Sequence, residues 1–258
     1  MNIHVRMANK PTDTISSLAK GLRVLECFGA ETPKLSITDT AKRTGLDRSN
    51  ARRCLLTLHA EGYADYDGKF FTLTPRVLRL GLGAIASLPL PQLVQPWLDQ
   101  LTEQIGESCS VSILDGTEIV YLARAGQKRV MSIGLMPGSR LPAHCTSMGR
   151  VLLAALPREG ARRIINASNL APRTTHSVTD PKEIMASLEL IRTQGYAIID
   201  QEVEVGLRSI AVPLLNERGQ KVGALNIGLA ATHEKTKDHL LDYLPKLLGV
   251  QTGLRRIL

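Results

Sequence analysis

The amino-acid sequence predicts an α+β chain of two domains: an N-terminal winged helix-turn-helix, a connecting helix, and a larger domain built on an antiparallel sheet covered by helices. Three observations carry this. Residues 17–60 place apolar side chains at helical spacing in three short blocks. The positive charge gathers in the same part of the chain, with 13 Lys and Arg against 8 Asp and Glu in residues 1–90 and 19 against 16 in the remaining 168. Beyond residue 105, strand-like runs around Asp-Gly turns alternate with helical stretches. The boundaries this predicts are a tail over 1–14, the winged domain over 15–75, a linker helix over 76–91 and the second domain over 92–258.

In chain order, Leu18, Leu22 and Leu25 recur at spacings of four and three and mark a first amphipathic helix ending near Gly29. Ser36 with Asp39 three residues on is a capping-box start for a short second helix, "SITDTAKRT", closed by Gly45. The third helix lies in "GLDRSNARRCLLTLHAEGY", where Ala51, Cys54, Leu55 and Leu58 form the core stripe and Ser49, Arg52 and Arg53 fall on the opposite face. Two helices about a glycine turn, the second carrying arginines near its start, suit the major groove of DNA. "YADYDGKFFTL" then reads as a hairpin about Asp67-Gly68 with Lys69 at its tip. Cys54 is expected in the core and His59 as a satisfied or solvated histidine.

Pro75 opens the connecting helix, and Pro89 and Pro91 are expected to stop it. "GLG" at 81–83 lacks the preceding strand and third glycine of a phosphate loop. The second domain starts with a helix from Gln92 whose Val94, Trp97, Leu98, Leu101 and Ile105 share one face, followed by a hairpin, "SCSVSIL" and "EIVYLARAG", about Asp115-Gly116. Further strands are expected in "RVMSIGL", "YAIID", "SIAVPLLN" and "VGALNIGLA", and helices in "TSMGRVLLAAL", "EIMASLELIRTQG" and "HLLDYLPKLLGVQTGLRRIL".

Composition narrows the function. Four cysteines without a C-x-x-C pair argue against a zinc cluster or disulfide framework. Aromatic residues make up 3% of the chain, too few for stacking platforms on single-stranded nucleic acid. No apolar run approaches membrane-spanning length, and the start lacks a signal-peptide core, so no membrane partner and a cytoplasmic location are expected. A purely architectural DNA-packaging protein explains the basic domain but not 168 separately patterned residues.

"PAHCTSMG", residues 142–149, gathers histidine, cysteine, threonine and serine in one stretch. Met148, Val151, Leu152, Ala155 and Leu156 make one stripe of a helix beginning near Thr146. Its first amides have no intrahelical partner, and with the hydroxyls of Thr146 and Ser147 they suit a carboxylate without any metal. The rival is a thiol nucleophile, Cys145 with His144 as base, but chain neighbours seldom face each other. His144 is either a ligand contact or a structural hydrogen-bonder. Arg124 and Arg208 either meet a ligand or pair with Glu202 and Glu204; alternation sets Arg208 opposite Ser209 and favours a structural role.

The segments "SLAKGLRVLECF", "GLDRSNARRCLLTLHAEGY", "FTLTPRVLRLG", "GSRLPAHCTSMGRVLLAAL" and "IIDQEVEVGLRSIAVPLLNERGQKVGALNIG" together resemble the IclR family of bacterial transcription regulators from Ser17 to the last strand. "GSRLPAHCTSMGRVLLA" resembles its PcaR, PcaU and PobR-like branch, which controls aromatic-acid catabolism by the β-ketoadipate route. The resemblance implies a GAF-like effector-binding second domain, a homodimer or homotetramer on double-stranded operator DNA, no catalysis and no cofactor or metal. It implies an effector pocket walled by Thr146, Ser147, Met148 and Gly149 and by Ser209, Asn226 and Gly228, with His144 beside it. The effector is expected to be a small carboxylic acid, aromatic or a β-ketoadipate-pathway intermediate, the alternative being a 2-oxo or sugar acid. Arg48, Ser49, Asn50, Arg52 and Arg53 are expected to meet the operator from the third helix, and Lys69 from the wing.

Overall fold

The structure, a computed structural model, describes residues 14–29, 32–80, 89–126, 134–231 and 237–258, and the chain divides into two compact units between residues 87 and 88. Most of the 1–14 tail, the 81–88 part of the expected linker helix and most of the expected strand in 129–135 lie outside the described residues.

The first unit holds helices α1 (Ser16–Glu26), α2 (Ile37–Thr44) and α3 (Arg48–Ala60) and a three-stranded antiparallel sheet of β1 (Lys34–Leu35), β2 (Ala64–Tyr66) and β3 (Phe71–Leu73) in the order β1-β3-β2. The expected capping box forms: Ser36 Oγ accepts the Asp39 amide, and the Asp39 carboxylate accepts the Ser36 amide. Gly45 ends α2 at φ +67°, a left-handed conformation in which a side chain is strained. The Asp67 carboxylate accepts the amides of Lys69 and Phe70 at 2.9 and 2.7 Å and closes the hairpin turn. Val24, Leu55, Ala64 and Phe71 form the core, with Cys54 half-buried against it. Truncating Phe71 there is worth about 3–5 kcal/mol. His59 Nδ1 lies 2.9 Å from the Ala64 carbonyl, a satisfied histidine.

Two features differ from expectation. β1 adds a two-residue strand too short to show a period. On α1 the buried residue is Val24, whereas Leu18 and Leu22 are 60% and 50% exposed, so the apolar stripe read from the sequence is not spent on this unit's own core.

The second unit begins with α4 (Pro89–Ile105), which takes in Pro91 and Pro96. Pro89 and Pro91 therefore lie in the first turn of this helix, where an amide needs no acceptor and the proline ring presets φ. This moves residues 89–91 out of the expected linker. The six-stranded antiparallel sheet has the order β6-β5-β4-β9-β8-β7, with β4 (Ser108–Asp115), β5 (Glu118–Ala125), β6 (Arg140–Pro142), β7 (Ala197–Asp200), β8 (Leu207–Leu215) and β9 (Lys221–Ala230). Residues 134–135 of the expected "RVMSIGL" strand are not in a strand, and the edge strand is Arg140–Pro142 instead.

Strand alternation separates the sheet's faces. Cys109, Val111, Ile210, Val212, Leu225 and Ile227 pack with α4 and with α9 (Leu244–Leu254), which follows the short α8 (Lys237–Leu241). The break at 242–243 splits the single terminal helix expected from the sequence. The other face carries Ser108, Ser110 and Ser112 and meets α5 (Ser147–Ala154), α6 (Arg158–Ala167) and α7 (Pro181–Gln194). All eight residues of α5 are buried, so it is a central helix rather than one with a single buried stripe.

Candidate functional site

Between the start of α5 and the serine-bearing face of the sheet lies a narrow cavity. Cross-strand register explains its floor. Arg124 pairs with Ser110, Ser110 with Asn226, and Gly228 with both Ser108 and Ser209, so four strands project polar groups to one side. The Arg124 guanidinium donates to Ser110 Oγ at 3.1 Å and Ser108 Oγ at 3.2 Å and lines the cavity. Leu135, Leu141, Val203 and Leu207 supply apolar walls beside Tyr121. Burial pushes the Tyr121 phenol up to about 12, so it stays protonated.

Thr146, Ser147, Met148, Ser209, Asn226 and Gly228 all line this cavity. Within it, Ser147 Oγ and Asn226 Oδ1 are buried and have no hydrogen-bond partner among the described residues. Leaving such atoms unmet costs about 1–3 kcal/mol each, a deficit a polar ligand removes. Met148 closes one side, its Sδ 3.2 Å from Ser112 Oγ.

Three expectations are corrected. The Thr146 hydroxyl caps α5 by accepting the Gly149 amide at 3.1 Å and donates to the Pro142 carbonyl at 3.1 Å. It is thus a cap rather than a ligand donor, and the open amides at the helix start reduce to those of Ser147 and Met148. Gly149 does not line the cavity; a Cβ there would stand 2.2 Å from the Ala143 carbonyl oxygen, so its glycine permits close backbone packing. His144 faces a separate cleft, because the one-turn 3-10 segment Ala143–Cys145 carries it away from Ser147.

Arg208 pairs with Asp200 at 2.7 Å across β7 and β8, the expected structural role. The Glu202 carboxylate accepts Arg150 at 2.7 Å, both side chains being over nine-tenths buried, and also accepts the Val178 amide at 3.2 Å. Arg150 donates through Nε to the His144 carbonyl at 2.8 Å. This pair ties the turn before α5 to the 202 loop. Sequence reading missed it, since 52 residues separate the partners.

The thiol–imidazole rival loses its geometry. Cys145 is fully buried, its thiol directed at the Pro142 carbonyl at 3.8 Å, and burial pushes it up to about 11. Burial, reinforced by the charges of Arg150 and Arg173, lowers the His144 pKa, while its Nδ1 has no partner among the described residues. Among the described residues no three His, Cys, Asp or Glu cluster as a metal site, and no helix is long and apolar enough to cross a membrane.

On the first unit, Arg48, Ser49, Arg52 and Arg53 are exposed on α3 and Lys69 is exposed in the hairpin turn, its ammonium 5.1 Å above the Phe70 ring. Arg53 borders a groove between α1 and α3. Helical spacing sets Arg52 on the flank it shares with His59, which touches the hairpin. Asn50 departs from expectation: it is half-buried, its amide donates to the Asp47 carboxylate, and its oxygen accepts Lys20 at 3.4 Å. The side chain completes the α3 cap and faces α1. Lys42 and Arg43, exposed in the last turn of α2, extend the basic surface.

Comparison with known proteins matches residues 17–68 to the IclR helix-turn-helix domain and residues 82–249 to the bacterial transcriptional regulator IclR C-terminal domain. The Pca regulon regulatory protein of Pseudomonas putida is 39% identical over 243 residues, covering 94% of this chain and 84% of that relative. The p-hydroxybenzoate hydroxylase transcriptional activator of Acinetobacter baylyi is 39% identical over 251 residues, covering 95% and 92%. Among solved structures, a double mutant of the PobR inducer-binding domain from Acinetobacter, in complex with 3-hydroxybenzoic acid, matches 65% of this chain and 98% of its own with a TM-score of 0.61 and 34% identity.

Proposed function

The chain belongs to the IclR family of bacterial transcriptional regulators, and from that premise we propose that it binds operator DNA under the control of a small aromatic carboxylic acid of the hydroxybenzoate kind. The observation that carries this reading is the pair of orphaned polar atoms in one cavity. Ser147 Oγ brings a hydroxyl hydrogen and Asn226 Oδ1 brings lone pairs, so the complementary ligand has an acceptor at one end and a donor at the other. A ring bearing a carboxylate and a hydroxyl is such a ligand. Its carboxylate sits on the Ser147 hydroxyl and the Ser147 and Met148 amides, where the helix dipole adds on the order of 1 kcal/mol, and Arg124 balances the charge. Its hydroxyl donates to Asn226, and the apolar walls hold the ring.

On DNA, Ser49, Arg52 and Arg53, with Arg48, read the major groove while Lys69 holds a phosphate. The effector acts by favouring one arrangement of the DNA-binding units through the 76–88 segment, since a ligand regulates only by preferring one state. The exposed Leu18 and Leu22, with Leu78 and Leu80 at 64% and 51% exposure, support assembly as a homodimer or homotetramer that covers them. The protein works in the cytoplasm, catalyses nothing and needs no cofactor.

The test is a gel-shift titration on a DNA fragment selected in vitro for binding, with and without 4-hydroxybenzoate and 3,4-dihydroxybenzoate. Acid-dependent change in operator affinity supports the reading. No change with either acid, and no binding heat from them, overturns it.

A further inference from the structure

Beyond the cavity, a cleft of about 530 Å3 opens beside the turn that precedes α5. Its lining includes His144, Arg173, Thr117, Asn169, Pro142 and Pro172. His144 lines this cleft while only 2% exposed, and its buried Nδ1 has no hydrogen-bond partner among the described residues. A buried imidazole nitrogen left unmet is as unusual as the two orphaned atoms of the effector cavity. Arg173 stands at the same cleft, exposed, donating through Nε to the Val203 carbonyl at a long 3.4 Å. The one carboxylate on the cleft wall, Glu118, is taken by Arg140 at 2.7 Å and so does not cancel the guanidinium charge.

We propose that this cleft is a second binding site, for a small monocarboxylate gripped by the Arg173 guanidinium and the His144 imidazole. One uncancelled cation suits a single negative charge, and a planar guanidinium matches the two oxygens of a carboxylate. A turn of the buried imidazole toward the cleft on binding brings Nδ1–H to the same group as a further donor. Pro142, Pro172 and Val203 offer apolar surface to a hydrocarbon body, which a bare inorganic anion does not use.

The site communicates with the effector cavity by contiguity. Val203 lines both spaces, and the His144 carbonyl holds Arg150, three residues from the cavity serine on the same helical segment. A ligand that fixes His144 therefore stiffens the turn from which Ser147 projects. The inference stands apart from the reading of the first cavity, because it holds whichever acid is bound there.

The experiment is a benzoate titration of full-length Ser147→Leu protein, or Asn226→Leu should the first not fold, watched through the His144 ring resonance in carbon-13 histidine-labelled samples. The expected result is a saturable shift that persists with the first cavity blocked. It should weaken tenfold or more in Arg173→Gln and recover partly in Arg173→Lys, while 4-hydroxybenzoate still binds Arg173→Gln in an otherwise wild-type background. Inorganic phosphate at matched ionic strength should not displace the benzoate. An unmoved His144 signal, a response unchanged in Arg173→Gln, or equal displacement by phosphate each overturns the proposal.

Discussion

The two faces proposed to meet ligands are built in opposite ways. The α3 face keeps four side chains exposed and the wing lysine in solvent, whereas the cavity of the second unit hides Ser147 and Asn226 almost wholly from water. A long polyanion is met from outside, where flexible cations exchange counterions for phosphates and lose little by waiting in water. A small acid must be enclosed to gain enough contact, and enclosure leaves polar atoms unmet until the ligand arrives. Substitutions on the first surface should therefore change binding without changing stability. Those around the second should change both.

The largest effect tests the enclosed side. Arg150→Met removes one partner of a buried ion pair and leaves the Glu202 carboxylate stranded, so chemical denaturation should show a loss of about 3–5 kcal/mol. Arg140→Ala, which breaks exposed contacts to Asp115 and Glu118, should cost no more than about 1 kcal/mol. Equal losses would mean that burial does not separate the two pairs.

Next come the arginines of α3. Arg52→Ala and Arg53→Ala should each lose about 1–3 kcal/mol of operator affinity with relaxed base preference, while their melting temperatures stay near wild type. Lys69→Ala should weaken all sequences alike and lower the salt slope by roughly one. Wild-type affinity and selectivity in both arginine variants would move the DNA contact off this face.

The smallest effect concerns Cys145. Burial raises its thiol to about 11, so the thiolate is scarce at pH 8 and alkylation of native protein should stay slow until the pH nears that value. The sign for stability follows: a folded pKa above the unfolded one of roughly 8.5 protects the fold at neutral pH and fades as pH rises toward 11. Cys145→Ser should keep effector-responsive DNA binding. Rapid labelling at pH 8, or loss of the response in Cys145→Ser, would restore the thiol to a working role.

What could be read from the sequence divides along the same line. Helix period places Ala51 and Leu55 inward and Arg52 and Arg53 outward from local spacing alone, and the capping box at Ser36 and Asp39 is a local signal too. The cavity draws on strands far apart in the chain, so Ser209, Asn226 and Gly228 came from family resemblance rather than spacing. A signal was present in "SCSVSIL", whose alternating serines mark one face of β4 as polar and point to the cross-strand Arg124. His144 and Ser147 are near in sequence yet line different spaces, because a 3-10 turn and a helix start redirect successive side chains. The Asn50 side chain bonds to Asp47 for a related reason: a polar residue at a helix start serves the cap as readily as the outer face.

The central claim is that Ser147 and Asn226 hold the two ends of an aromatic acid in one enclosed cavity. Calorimetry with 4-hydroxybenzoate on wild type, Ser147→Leu and Asn226→Leu tests it directly. Wild type should bind saturably at one such site per chain. Ser147→Leu should lose that binding by filling the cavity, and Asn226→Leu should weaken it roughly tenfold or more by removing the hydroxyl's acceptor. Unchanged binding in both variants, with each still folded, would contradict the account and place the acid elsewhere in the chain.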